Sequence, residues 1–236
     1  MASPLFKKVV QATSKGLSSA TIPIILGNSV ATIAIPAVAF GTAKRKISPK
    51  EGAEIVKENL KDVPVEFKKD LKNNAFFDAD KNRKRPDKVI LPEKQKIPPA
   101  VVYHEMGHAK DFEGKDRKKK ITAYQLGMAG MYGALTMPAL NAVIRSKPTI
   151  TKHVLSGMSG ALGILSGIPV IRAERQATEH ALKLMKEKGY SKKDIKESEK
   201  LLKAVGSTYR LVSYTPALAA AADISGKLLG KLKIAR

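Results

Sequence analysis

Apolar and charged positions are divided unevenly along this chain. Residues 17–43, 121–144 and 154–171 contain no charged side chain, whereas 44–120 and the segment beyond 172 are dense in Lys, Arg, Asp and Glu. A helix needs about 20 apolar residues, within a range of about 17–25, to cross a hydrocarbon core, so each stretch is long enough. Cations border all three: Lys15, Lys44, Arg45 and Lys46 around the first, Lys118, Lys119 and Lys120 before the second, Arg172 after the third. A bilayer favours that arrangement. The stretches are rich in Gly, Ala, Ser and Thr, small residues that let membrane helices approach closely. Core helices of a soluble protein are the competing explanation, but three such spans are hard to bury in a short basic chain. The first is also longer than the roughly 7–15 apolar residues of a cleavable signal.

The pattern predicts a basic segment at 1–16, an apolar transmembrane helix at 17–43, a soluble part at 44–120, an apolar helical hairpin at 121–172, and a last part at 173–236. In the soluble part, Ser48, Pro49 and Glu51 form a helix start signal, and Ile55, Val56 and Leu60 supply an apolar face. "VEFKKDL" reads as a short strand, "FFDADKNRKRPD" as a turn-rich loop, and "KVILPE" as a strand ended by Pro92. Pro98 and Pro99 open a further helix. "RSKPTITKH" reads as the loop of the hairpin. A new helix is expected from about Ile171 to Gly189, then another capped by Ser191 with Asp194 at its third position. The apolar end of that helix, 204–222, is a candidate fourth span interrupted by Arg210.

Charge narrows the partners. With 43 Lys and Arg against 21 Asp and Glu, the net charge is +22, which draws the chain to a polyanion: nucleic acid or an anionic lipid surface. Nucleic-acid binding lacks the expected interleaving of basic and aromatic residues, and the basic residues flank apolar spans, so the anionic membrane is the expected partner. There is no cysteine. Disulfides and thiolate metal sites are excluded, and any metal must be held by His, Asp or Glu.

One stretch carries candidate chemistry. "VVYHEMGHAKDFEG", residues 101–114, places His104 and His108 four apart, on one face of a helix. Two imidazoles can then converge on one metal ion. Glu105, rotated by about 100° from His104, stands beside that ion, free to take a proton rather than to ligate. Catalytic zinc takes three protein ligands and an open position, and no third histidine follows at a short spacing. A glutamate on another helix is the best candidate, and "ERQATEHA" supplies Glu174. Thr178, one turn on, can hydrogen-bond a ligand imidazole. If the two apolar spans form a hairpin, the chain returns Glu174 to the side of the membrane it left. The excess of Lys and Arg there predicts that side to be cytoplasmic.

"HEMGHA", the two-span insertion and "ERQATEHAL" together resemble the YugP-like neutral zinc metallopeptidases of bacterial membranes. More broadly they resemble membrane gluzincins, with H-E-x-x-H and a later E-x-x-A-D or E-x-x-A-S. "SPKEGAEIVKENL" and "FFDADKNRKRPDKVILPE" resemble that family's segments before the zinc helix, so the likeness covers most of 48–222. It implies a mainly α fold: a membrane-associated helical bundle with a small α+β zincin-like catalytic part. It also implies one zinc ion per chain on His104, His108 and Glu174, and hydrolysis of peptide bonds in a protein or peptide substrate by a zinc-activated water with Glu105 as general base. Thr178 departs from the family's Asp or Ser and offers a hydroxyl but no carboxylate. "KDFEG" replaces the "IQ" usual after the second histidine.

An oxyanion donor is also needed. Tyr209, Arg175, Arg210 and His180 are candidates, although His180 lies about 240° around the helix from Glu174 and reads first as a surface residue. His153 is expected in the hairpin loop, and Tyr124, Tyr132, Tyr209 and Tyr214 are candidate interfacial anchors. "KVILPE" could align an extended substrate by strand addition. Gly107, costly in a helix, suits either a close approach near the metal or plain helix packing. The alternative function is a non-catalytic structural or interaction protein that keeps the metallopeptidase fold within a larger assembly. An intact Glu105 argues against it, because a scaffold needs no base.

Overall fold

The computed structural model describes residues 35, 38–40, 42–71, 74–82, 84–143 and 149–231. The basic start at 1–16, most of the first apolar stretch and the connection 144–148 lie outside the described residues. The rest is mainly helical with one small sheet: α1 (Pro49–Asn59), β1 (Val65–Lys68), β2 (Phe76–Asp78), β3 (Lys88–Pro92), α2 (Pro99–Asp111), α3 (Arg117–Val143), α4 (Thr149–Glu187) and α5 (Lys192–Lys231). It divides into two compact units, one of residues 33–125 and 169–208, the other of 1–32, 126–168 and 209–236.

In the first unit, local signals fix the element ends. The Ser48 side chain accepts from the Glu51 amide and the Glu51 side chain accepts from the Ser48 amide, a reciprocal capping box that starts α1. Gly189, at φ 76°, stops α4 in the left-handed conformation that glycine adopts cheaply. Ser191 then accepts from the Asp194 amide to start α5. The sheet has the order β1-β3-β2, with β1 parallel and β2 antiparallel to β3. Val56, Val89, Leu91, Ile97, Val102, Met106 and Met185 are buried together between α1, the sheet, α2 and α4.

Three expectations need correction. The stretch read as a loop begins with β2: Phe76 and Phe77 pair with Ile90 and Val89, a pairing that a three-residue strand cannot announce by alternation. "KVILPE" forms β3, the middle strand, bonded on both sides. It has no free edge to offer a substrate, and the edges belong to β1 and β2. No helix starts near Ile171. α4 runs unbroken from Thr149 through Pro169 and includes His153, because a proline far along a long helix removes one hydrogen bond without ending it.

In the second unit, small and hydroxylated residues are inside. The Ser213 hydroxyl donates to the Gly163 carbonyl at 3.0 Å and the Ser159 hydroxyl to the Ala134 carbonyl at 2.7 Å. A side chain at Gly163 would meet the Ser213 carbonyl oxygen at 2.7 Å. Among the described residues one helix, over Val154–Glu187, is long and apolar enough to cross a membrane. α3 covers the second uncharged stretch, but Thr122, Tyr124, Gln125, Tyr132 and Thr136 dilute its apolar character.

Candidate metal centre

The centre is built on α2. This helix is buried almost all round, with Lys110 its exposed member, as expected of a helix at the middle of a core. Pro98 and Pro99 start it. Burial places His104, Glu105 and His108 away from water, where each polar atom needs a partner.

α4 supplies that partner. A methyl at Gly107 would lie 2.9 Å from the Ala177 carbonyl carbon, so glycine lets the backbones of α2 and α4 touch. Both readings of Gly107 therefore hold: it is a packing residue, and the packing it permits is next to the candidate site. Glu174, one turn before Ala177, is 4 % exposed. Its Oε2 lies 3.1 Å from His104 Nε2 and its Oε1 3.5 Å from His108 Nε2. One ligating atom from each of the three residues falls within 4.8 Å of the others.

These residues fit a divalent ion. Tetrahedral zinc with bonds of about 2.0–2.1 Å has ligand-to-ligand separations of about 3.3 Å, and the two His–Glu contacts straddle that value. Two imidazoles and a carboxylate are also a donor set that suits zinc. Both imidazoles present Nε2 to one buried carboxylate, an arrangement that a cation between them would satisfy better than a single proton. The group could hold a metal ion; the donor types favour zinc without fixing it.

Around the three residues, Thr178 Oγ1 lies 3.3 Å from His104 Nδ1, where it can fix the ring. His108 Nδ1 is buried without a hydrogen-bond partner among the described residues. Its ring is held by packing instead: Phe112 stacks on it at 5.9 Å and Tyr124 meets it edge-on at 5.9 Å. The Tyr124 hydroxyl also donates to Glu174 Oε1 at 2.8 Å. Glu105 accepts from the Phe77 amide at 2.7 Å. Burial pushes the Glu105 carboxyl up to about 7; His104 opposes the rise, Glu174 adds to it and the Phe77 amide opposes it.

The other candidates are placed differently. Arg175 is exposed and paired with Glu179, also exposed, at 3.5 Å. His180 is half-buried on the same helix. Tyr209 and Arg210 belong to the second unit. Sequence reasoning missed two residues that the fold brings to the centre, Tyr124 and Phe77. The first sits inside an uncharged stretch and resembles an interfacial anchor. The second acts through its backbone, which no side-chain pattern reveals.

No family model matches this chain, and neither do the curated proteins or the solved structures. The functional reading therefore rests on the residues and their geometry.

Proposed function

We propose that this chain is a membrane zinc metallopeptidase of the gluzincin kind, one that hydrolyses peptide bonds. The observation that carries the reading is the convergence of His104, His108 and Glu174 from two helices, with a fourth buried group, Glu105, beside them. A structural metal site needs the ligands but not a buried carboxyl beside them, which in a hydrolytic centre can act as the general base.

In this reading His104, His108 and Glu174 hold the ion, and Thr178 fixes the His104 ring. Zinc, when bound, supplies a Lewis acid that acidifies water and polarises the scissile carbonyl. Glu105 accepts the proton of the attacking water and returns it to the leaving amine. The Phe77 amide holds one Glu105 oxygen, Oε2, which orients the other for that exchange. An extended substrate is proposed to align along the edge strand β2, whose Phe77 reaches Glu105, since β3 has no free edge. Membrane attachment through the second unit is supported by the apolar helix in 154–187 and by the basic residues at the ends of the uncharged stretches. The positive-inside rule favours a cytoplasmic catalytic side.

Casein cleavage by detergent-purified full-length protein tests the reading. Wild type is expected to cleave, and Glu105→Gln to lose about 10²–10⁴ of the rate while retaining its metal. Equal cleavage by wild type and Glu105→Gln would contradict the assignment of the base. Metal retention with no cleavage of casein or of native membrane proteins would favour the non-catalytic scaffold.

A further inference from the structure

The Tyr124 hydroxyl bonds to Glu174 in the ligand cluster, and nothing in the peptide-hydrolysis scheme above uses it. We propose that Tyr124 is a positioning residue that takes one oxygen of Glu174, so that the carboxylate offers the other alone to the metal. This rests on the metal-centre reading and adds to it how the coordination number is set.

A carboxylate can ligate through one oxygen or through both. With two histidines already in place, two-oxygen ligation fills the position that a hydrolytic centre must keep open for water and substrate. Hydrogen bonds from neighbouring groups decide between the two modes, because an oxygen committed to a donor is a poorer ligand. In this fold each Glu174 oxygen faces one imidazole, Oε2 at 3.1 Å from His104 Nε2 and Oε1 at 3.5 Å from His108 Nε2, and the Tyr124 hydroxyl donates at 2.8 Å to Oε1, the more distant of the two. That bond distinguishes the two oxygens before any ion binds.

The hydroxyl is itself held in place. The Tyr124 ring meets His108 at 5.9 Å and Phe112 at 6.0 Å, and Phe112 stacks on His108. Three rings from α2, α3 and the turn between them lock one another. Among the described residues the buried His108 Nδ1 has no hydrogen-bond partner, so this packing, with Glu174 on the other ring nitrogen, helps to orient His108. One tyrosine therefore touches two of the three ligands, by its hydroxyl on Glu174 and by its ring on His108. The basic cluster 115–120 starts α3 one to two turns before Tyr124, so the residue sits where this helix leaves the charged part of the chain.

The test uses full-length protein in detergent loaded with cobalt(II), whose visible absorption is strong when four-coordinate and weaker when five-coordinate. Wild type is expected to give the strong band. Tyr124→Phe keeps the ring and loses the hydroxyl. Its band should weaken, and competition with a chelator should show metal affinity lowered by about 10–100-fold, with a modest drop in the metal-free melting midpoint from the lost hydroxyl bond. Tyr124→Leu also removes the ring and should lower that midpoint. A Tyr124→Phe protein with the wild-type band and affinity would overturn the proposal while leaving the metal centre intact. Failure of wild type to bind one metal per chain, or binding that Glu174→Ala does not weaken, would overturn both. A second measurement needs no variant: the splitting of the carboxylate stretching bands on zinc loading separates one-oxygen from two-oxygen ligation, and a two-oxygen signature in wild type would overturn the proposal.

Discussion

The two units follow opposite rules about what faces outward. In the unit that carries the candidate metal centre, Val56, Val89, Leu91, Ile97 and Val102 are fully buried, and the buried charged groups have charged or hydrogen-bonding partners: Glu174 with His104 and Tyr124, Asp111 with Lys120, Arg117 with Asp87. In the other unit many large apolar side chains are outside, although Met131 and Val212 are buried. Ten of the thirteen exposed large hydrophobic residues among those described lie there, including Leu126, Met158, Leu162, Leu165, Ile168 and Leu218. Its interior includes Ser159, Ser213, Thr215 and Ala219 beside Met131 and Val212, with Gly163 against Ser213.

Water accounts for the first pattern, whereas a cluster of exposed large apolar side chains is uncommon on a soluble surface. We propose that lipid accounts for the second. With no hydrophobic gain from hiding Leu, helices pack through small residues and hydroxyl-to-carbonyl bonds. Under the proposed function this difference would be a division of labour, with the metal site in one unit and membrane attachment through the other.

The largest expected effect breaks that contrast from the lipid side. Leu165 is 65 % exposed. If its face meets lipid, Leu165→Asp costs about 3 kcal/mol of insertion, and membrane-retained protein after alkaline extraction should fall sharply. On a water-facing surface the same change stays within about 0.5 kcal/mol, and retention would not change.

A comparable effect, with an upper limit of about 3 kcal/mol, is expected in the metal-centre unit. An unfolded glutamate has its ordinary value near 4.5, and Glu105 is pushed up to about 7 in the folded chain. Between these values the folded state holds more protons than the unfolded state, so metal-free stability falls as pH rises through that window. Glu105→Gln removes this dependence and should stabilise the metal-free protein above pH 7 while changing little below pH 4.5. Melting midpoints of both proteins across pH 4–8 check it; parallel curves would show that burial does not perturb Glu105.

The smallest effect returns to the second unit. Ser213→Ala removes the bond to the Gly163 carbonyl and should cost about 0.6 kcal/mol, the usual size for such bonds in membranes. A cost of several kcal/mol, read from the melting midpoint in detergent, would point to a dry protein core instead.

The legibility of the sequence differed between these regions in the same physical terms. Helix starts at Ser48 and Ser191 were readable because the caps are local. His104 and His108 were readable together because i and i+4 share a face. Glu174 could be paired with them because it directly follows the apolar hairpin that returns the chain to the same side, with Thr178 one turn on. What could not be read is tertiary. β2 is three residues long and exists by pairing with β3. α4 passes Pro169, where a proline pattern alone predicts a break. Tyr124 enters the centre only once α2, α3 and α4 are packed, and Phe77 reaches Glu105 through an amide that every residue but proline carries. The expected metal-binding role of His104, His108 and Glu174 is compatible with their convergence.

The most direct test of the central claim is the zinc content of freshly purified full-length protein, wild type beside Glu174→Ala. The account predicts one zinc per chain in wild type and far less in Glu174→Ala. Wild type without zinc, even after reloading, would contradict it and leave 101–114 as a buried helix that carries two histidines.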